Sequence, residues 1–138
     1  MDKTKKEISR FILSGILAVL TDTFVYYILS HFIDLSLAKG ISFLTGTITA
    51  YLMNKYYTFE QKRKSIKEVV KFLLLYLVSL TANVGVNKTC LLILPSAFSY
   101  ISFLNNFQAV KLFSFLCATG TSTIINFSGQ KFWVFKGK

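Results

Sequence analysis

The sequence predicts an all-α membrane protein. Four transmembrane helices form two tandem two-helix repeats, with both termini in the cytoplasm. Three observations lead there. The chain of 138 residues is 53% hydrophobic, with a mean hydropathy of +0.52, more apolar than an ordinary soluble domain. Its apolar residues gather in four long runs, each near the roughly 20 helical residues that cross a hydrocarbon layer about 30 Å thick. Its formal charge of +10 is carried mostly between those runs.

The first run spans roughly Phe11 to Phe32, the second Ala38 to Tyr57, the third Val69 to Leu94 and the fourth Leu112 to Val134. Backbone polar groups in lipid must satisfy themselves, so each run is expected to be a helix, within a single membrane domain over residues 1–138. Lys3, Lys5, Lys6 and Arg10 precede the first run. Lys55, Lys62, Arg63, Lys64, Lys67 and Lys71 lie around the central connection, and Lys131, Lys136 and Lys138 close the chain. These are thirteen of the sixteen Lys and Arg residues, so positive-inside bias puts both termini and the central loop in the cytoplasm. A cleaved signal peptide would have a shorter apolar region, about 7–15 residues. Cys90 and Cys117 lie inside apolar runs without metal-ligand spacing and read as packed thiols.

The halves resemble each other. A shift of 61 places Arg10-Phe11 on Lys71-Phe72 and Asp22 on Asn83. A shift of 72 places Lys39 on Lys111, Ser42 on Ser114 and Asn54 on Asn126. Near the C-terminal end the shift becomes 76, and the segment from Asn54 to Phe59 falls on that from Gln130 to Phe135. The change of shift equals about one helical turn, which preserves the face. Two halves that enter the membrane in the same direction imply a pseudo-twofold axis along its normal, an arrangement found in transporters.

Small and polar residues recur at helical spacing in each run. They are Phe11, Gly15, Ala18, Asp22 and Tyr26; then Lys39, Phe43, Gly46, Ala50 and Asn54; then Phe72, Tyr76, Ser79, Asn83 and Asn87; then Lys111, Phe115, Ala118, Ser122 and Asn126. Such stripes are expected to face other helices, where small residues permit close approach and amides bond across the contact. Packing alone accounts for Gly46, Ala50 and Ser122. Asp22 differs, because a charge at membrane depth costs at least about 2.5–3.5 kcal/mol. It lies about 18 Å along the helix from Arg10 and so must be paired, protonated or solvated. Lys39 and Lys111 begin the two descending helices and, unless functional, snorkel to the outer surface. Asn54, Lys55, Gln130 and Lys131 repeat an amide–lysine pattern beside aromatic residues at the inner interface. It suits a phosphate held by an amide and a cation. The basic segment from Gln61 to Glu68 is expected to lie on anionic membrane lipid. The connection from Pro95 to Gln108, with little charge and much Phe and Tyr, is expected along the outer interface. No phosphate loop, carboxylate pair or metal cluster is present in the sequence, which argues against an enzyme and calls for no cofactor or metal. The division of the basic residues among short loops argues against nucleic acid as a partner.

From Ser9 to Phe135 the chain resembles the GtrA-like family of small four-helix membrane proteins. The resemblance rests on the opening Arg10-Phe11-Ile12-Leu13-Ser14-Gly15 and Asp22. Its most specific part is Ala50-Tyr51-Leu52-Met53-Asn54-Lys55-Tyr56-Tyr57-Thr58-Phe59, joined by Lys71-Phe72 and by Asn126-Phe127 through Lys131, Trp133, Val134 and Phe135. Gln130 and Phe132 depart from the small and basic residues that the family often has there. The resemblance implies translocation of a polyprenyl-phosphate-linked sugar across the bacterial cytoplasmic membrane for cell-surface polysaccharide synthesis. A membrane glycosyltransferase is then a partner, and a homodimer is compatible with so small a bundle. On that reading Asn54, Lys55, Gln130 and Lys131 engage the phosphate at the inner side. Asp22, Asn83 and Asn126 bond the sugar at mid-depth, and Lys39 and Lys111 receive the phosphate outside. The alternatives are a non-transporting accessory subunit of a polyprenyl-phosphate glycosyltransferase and a small proton-coupled multidrug exporter that uses Asp22.

Overall fold

The computed structural model describes residues 2–100 and 106–136, which are helical with short connections and contain no strand. The helices are α1 (Lys3–Leu29), α2 (Leu35–Met53), α3 (Ile66–Phe98) and α4 (Phe107–Gly129). A single π-turn continues α2 over Asn54–Thr58, and another continues α4 over Gln130–Val134. The chain divides into two compact units, one within residues 1–64 and one within 65–136, each an antiparallel helix pair.

The protein is a multi-pass membrane protein with an inverted surface. Phe24, Leu80, Leu92 and Ile124 are all more than half exposed, whereas Ser14, Ser42, Ser114 and Gln130 are fully buried. That distribution suits lipid rather than water as the solvent. Three segments are long and apolar enough to cross a membrane: Lys3–Leu29, Ile66–Phe98 and Gln108–Val134. The 19-residue α2 falls short of the same apolarity because it carries Lys39 and a run of threonines. Those threonines are already satisfied. Thr45, Thr47 and Thr49 donate to the carbonyls of Ile41, Phe43 and Thr45, each at 2.9 Å, so the hydroxyls need no water.

The repeat extends to caps and turns. Asp34 caps α2 by accepting from the backbone of Ser36 and Leu37, and Asn106 caps α4 by accepting from Ala109. These are the usual N-cap bonds. Helix α4 has 23 residues against 19 in α2. The extra turn is the step at which the repeat shift changes from 72 to 76. Helix α3 runs through Pro95 to Phe98, so the start of the expected outer connection is helical instead. Proline removes its own N–H bond and crowds the carbonyl of residue i−4, yet membrane helices tolerate it where neighbouring groups satisfy the freed backbone. Residues 101–105 of that connection lie outside the described residues.

The packing stripes run one residue from their expected positions at the start of α2 and α4. The buried line of α2 is Ala38, Ser42, Gly46, Ala50 and Asn54, with Lys39 and Phe43 exposed. That of α4 begins Val110, Ser114 and Ala118, with Lys111 and Phe115 exposed. On α1 the buried residues are Glu7 and Ser14, and Gly15 is exposed. A step of four at every position, small-xxx-small, is the pattern of close helix pairs in membranes. At its centre, a Cβ on Gly46 would stand 3.0 Å from the Ala18 carbonyl oxygen and 3.0 Å from Asp22 Cβ. Gly46→Val is therefore expected to lower stability by about 1–3 kcal/mol, the cost of overpacking. Gly46→Ala is expected to cost less. Thermal unfolding of both variants in the same detergent checks the order.

Candidate functional site

Each unit places a cation from its first helix against the aromatic turn after its second. In the first, Arg10 Nη1 donates to the Tyr57 carbonyl at 2.9 Å, and the guanidinium lies 4.8 Å from the Tyr57 ring centre. In the second, Lys71 Nζ donates to the Trp133 carbonyl at 3.4 Å and lies 5.8 Å from the Trp133 ring. The turns share their backbone bonding. Phe59 N–H donates to Asn54 O and Phe135 N–H to Gln130 O, both at 2.9 Å. This i→i+5 closure widens the helix by one residue, a device frequent at functional sites.

The turn lysines repeat as well. Lys55 Nζ lies 5.5 Å from the Tyr51 ring and 5.7 Å from that of Tyr56. Lys131 Nζ lies 5.7 Å from the Phe127 ring and 5.6 Å from that of Phe132. Aromatic faces attract such cations. Lys55 is 2% exposed and also donates to the Tyr51 hydroxyl at 3.2 Å.

The paired amides differ. Asn54 is buried, and its Oδ1 is 3.2 Å from the Thr58 hydroxyl, which is 3.0 Å from Ser14 Oγ; that in turn is 2.8 Å from the Arg10 carbonyl. Two hydroxyl protons serve these three contacts. Turning the Asn54 amide to present Nδ2 to Thr58 supplies the third proton, an assignment set by the network. Gln130 is 0% exposed, and neither its Oε1 nor its Nε2 has a hydrogen-bond partner among the described residues. The repeat explains this. At the position equivalent to Thr58 stands Val134, and at that of Ser14 stands Leu75.

Further along the helices the units diverge again. Asp22 Oδ2 accepts from Lys39 Nζ at 2.8 Å within the first unit, so the two residues form an ion pair. In the second unit Asn83 Nδ2 donates to Ser122 Oγ at 3.1 Å, Asn126 Nδ2 donates to Ser79 Oγ at 2.8 Å, and Ser79 Oγ donates to the Ser122 carbonyl at 3.1 Å. Lys111 lies exposed on α4, in the position equivalent to Lys39.

A cavity of about 270 Å³ opens at the end of the first unit that holds the N-terminus, lined by Lys3, Lys6, Glu7, Arg10, Thr58 and Glu60. Glu60 ion-pairs with Arg10 at 2.5 Å and is the one non-glycine residue with positive φ among those described, at 51°. None of these residues stood out by itself in the sequence, where Lys3, Lys6 and Arg10 read as inside-positive charge. The signal for Arg10 lay in its alignment with Lys71 and in that of Tyr57 with Trp133.

Residues 10–135 match the family model described as GtrA/DPMS, transmembrane domain. The chain belongs to this GtrA/DPMS transmembrane-domain family. The cation–aromatic contacts and the duplicated π-turns lie within the matched stretch. A relative, the uncharacterized membrane protein YngA of Bacillus subtilis (strain 168), is 30% identical over 132 residues, which cover 94% of this chain and 80% of the relative. No solved structure matches the GtrA/DPMS chain.

Proposed function

We propose that the protein carries a polyprenyl-phosphate-linked sugar from the inner to the outer leaflet of the bacterial cytoplasmic membrane, for cell-surface polysaccharide or glycan modification. Membership of a family tied to lipid-linked sugar handling supports the class. The observation that carries the reading is the duplicated turn, in which a buried amide and an aromatic-cradled lysine stand together in each unit. An amide and a cation on a widened helical turn offer the donors that a phosphodiester needs, while the polyprenyl tail stays in lipid.

In this reading Asn54 with Lys55, and Gln130 with Lys131, take the phosphate at the inner ends of their units. Asn83 and Asn126 offer amides to sugar hydroxyls at mid-depth, and Asp22 does so with its carboxylate. Lys39 and Lys111 are the outer cations. A membrane glycosyltransferase is the partner this reading calls for, and a homodimer is compatible with so small a bundle. The Asp22–Lys39 ion pair counts against a proton-coupled exporter of cationic drugs, since that carboxylate already has a cation.

Leaflet transfer of short-chain polyprenyl-phosphate hexoses in proteoliposomes tests the reading. Asn54→Ala and Lys111→Ala, inserted normally, are expected to slow transfer roughly ten- to hundredfold, the worth of a hydrogen bond to a charged group. Full transfer by both variants rules out this path. Absence of transfer for every hexose with wild-type protein turns the reading to a glycosyltransferase accessory subunit.

A further inference from the structure

We propose that the cavity between Lys3, Lys6 and Arg10 is a receptor for a phosphate ester, and that Glu60 is a resident carboxylate which the phosphate displaces from Arg10. The proposal takes its lipid from the translocation reading; the phosphate chemistry rests on the cavity itself.

Four observations carry it. First, a space of about 270 Å³ is walled by three cations, two carboxylates and the Thr58 hydroxyl. A phosphate group fits easily within that volume. Second, Arg10 is oriented but not used up. Its bonds to the Tyr57 carbonyl and to Glu60 both come from Nη1. The guanidinium has five N–H donors in a fixed fork suited to bidentate phosphate binding. The Tyr57 contacts hold the fork in place whether or not Glu60 is bound. Third, Lys3 and Lys6, one turn apart on α1, form no ion pair among the described residues. They add positive charge to a wall whose second carboxylate is the buried Glu7.

Fourth, Glu60 is held in an unfavourable backbone conformation. Its φ of 51° falls in the left-handed region that disfavours side chains with a Cβ. It is also exposed, whereas its neighbours Phe59 and Gln61 are buried. A carboxylate on Arg10 presents the same acceptor geometry as two phosphate oxygens. Release of Glu60 to solvent is the motion that exposes Arg10 to an incoming ester. The bound ester then touches Thr58, whose hydroxyl meets Asn54, so the cavity connects by one hydrogen bond to the buried amide of the turn.

The second unit offers a contrast. The residue equivalent to Glu60 is Lys136, and that equivalent to Thr58 is Val134. The carboxylate is thus a feature of the first unit alone.

The test measures binding, independently of transport, on full-length protein in neutral-lipid nanodiscs. The probes are a short-chain polyprenyl phosphate, its hexose diester and inorganic phosphate, each titrated by ³¹P NMR. Glu60→Gln is expected to tighten binding at least roughly threefold by removing the competing charge. Lys3→Gln/Lys6→Gln, both at exposed positions, is expected to weaken it roughly tenfold and to flatten its salt dependence. Competition by inorganic phosphate identifies the phosphate group itself as the ligand; binding of the lipid probes alone identifies the lipid headgroup. Affinities unchanged in Glu60→Gln and in the double lysine variant overturn the proposal. Leaflet transfer in the same variants separates the two readings. Binding that responds as stated without any transfer sinks translocation and keeps the receptor. Transfer with binding indifferent to these residues does the reverse.

Discussion

Gln130→Met is expected to raise the stability of the protein by about 1–3 kcal/mol, the cost of leaving a buried amide without hydrogen bonds. Methionine nearly matches glutamine in length and volume and needs no partner, so packing around the turn is retained. The same substitution is expected to slow leaflet transfer, because a thioether cannot donate to phosphate. Val134→Thr is the companion variant. It returns a hydroxyl to the position that Thr58 occupies in the first unit, and it is expected to raise stability while keeping the amide. Thermal unfolding in one detergent, read beside transfer, checks both variants. A loss of stability in Gln130→Met would mean that the amide is satisfied in the membrane-embedded protein and that its role is structural.

Lys39→Leu is expected to destabilise the first helix pair by about 2.5–3.5 kcal/mol, since it leaves the Asp22 carboxylate alone at membrane depth. Asp22→Asn is expected to cost less. The Lys39 side chain is more than half exposed and reaches the outer surface without its partner. The double variant Asp22→Asn/Lys39→Leu is expected to recover most of the loss, giving a coupling energy of the kind found between residues in direct contact. Additive losses in the cycle would show that the two charges act separately. Asp22→Asn also makes the first unit resemble the second, where Asn83 holds the equivalent place, so its effect on transfer isolates what the charge adds.

Much of the architecture was legible in the sequence. Hydropathy located the four helices, because the bilayer imposes their length. Polar matches located the repeat, because amides and cations are costly in lipid and do not recur there without cause. The seams were less legible. Counting mixed steps of three and four put Lys39 and Phe43 on the inner line of α2, whereas a uniform step of four puts Ala38 and Ser42 there. Both counts leave Gly46, Ala50 and Asn54 in place, so periodicity alone did not separate them. The π-turns were not legible at all. A single i→i+5 bond leaves the pattern of side-chain types intact, and the residues around it read as interface anchors. That Asp22 needs a partner is legible in the sequence; that Lys39 supplies it is not, because their places on different helices hide a contact that only the packing of α1 on α2 reveals.

The duplicated contacts also bear on descent. Arg10 with Tyr57, Lys71 with Trp133, the two capped helices and the two ring-cradled lysines are each complete within one half of the chain. A half-length ancestor would have possessed all of them, and any assembly of its copies would have carried identical ends. Joining two copies in one chain lets the halves diverge. Here the first half has acquired or kept Asp22, Thr58 and Glu60, where the second has Asn83, Val134 and Lys136. A chain of two halves can therefore assign different tasks to two ends that a symmetric assembly keeps alike.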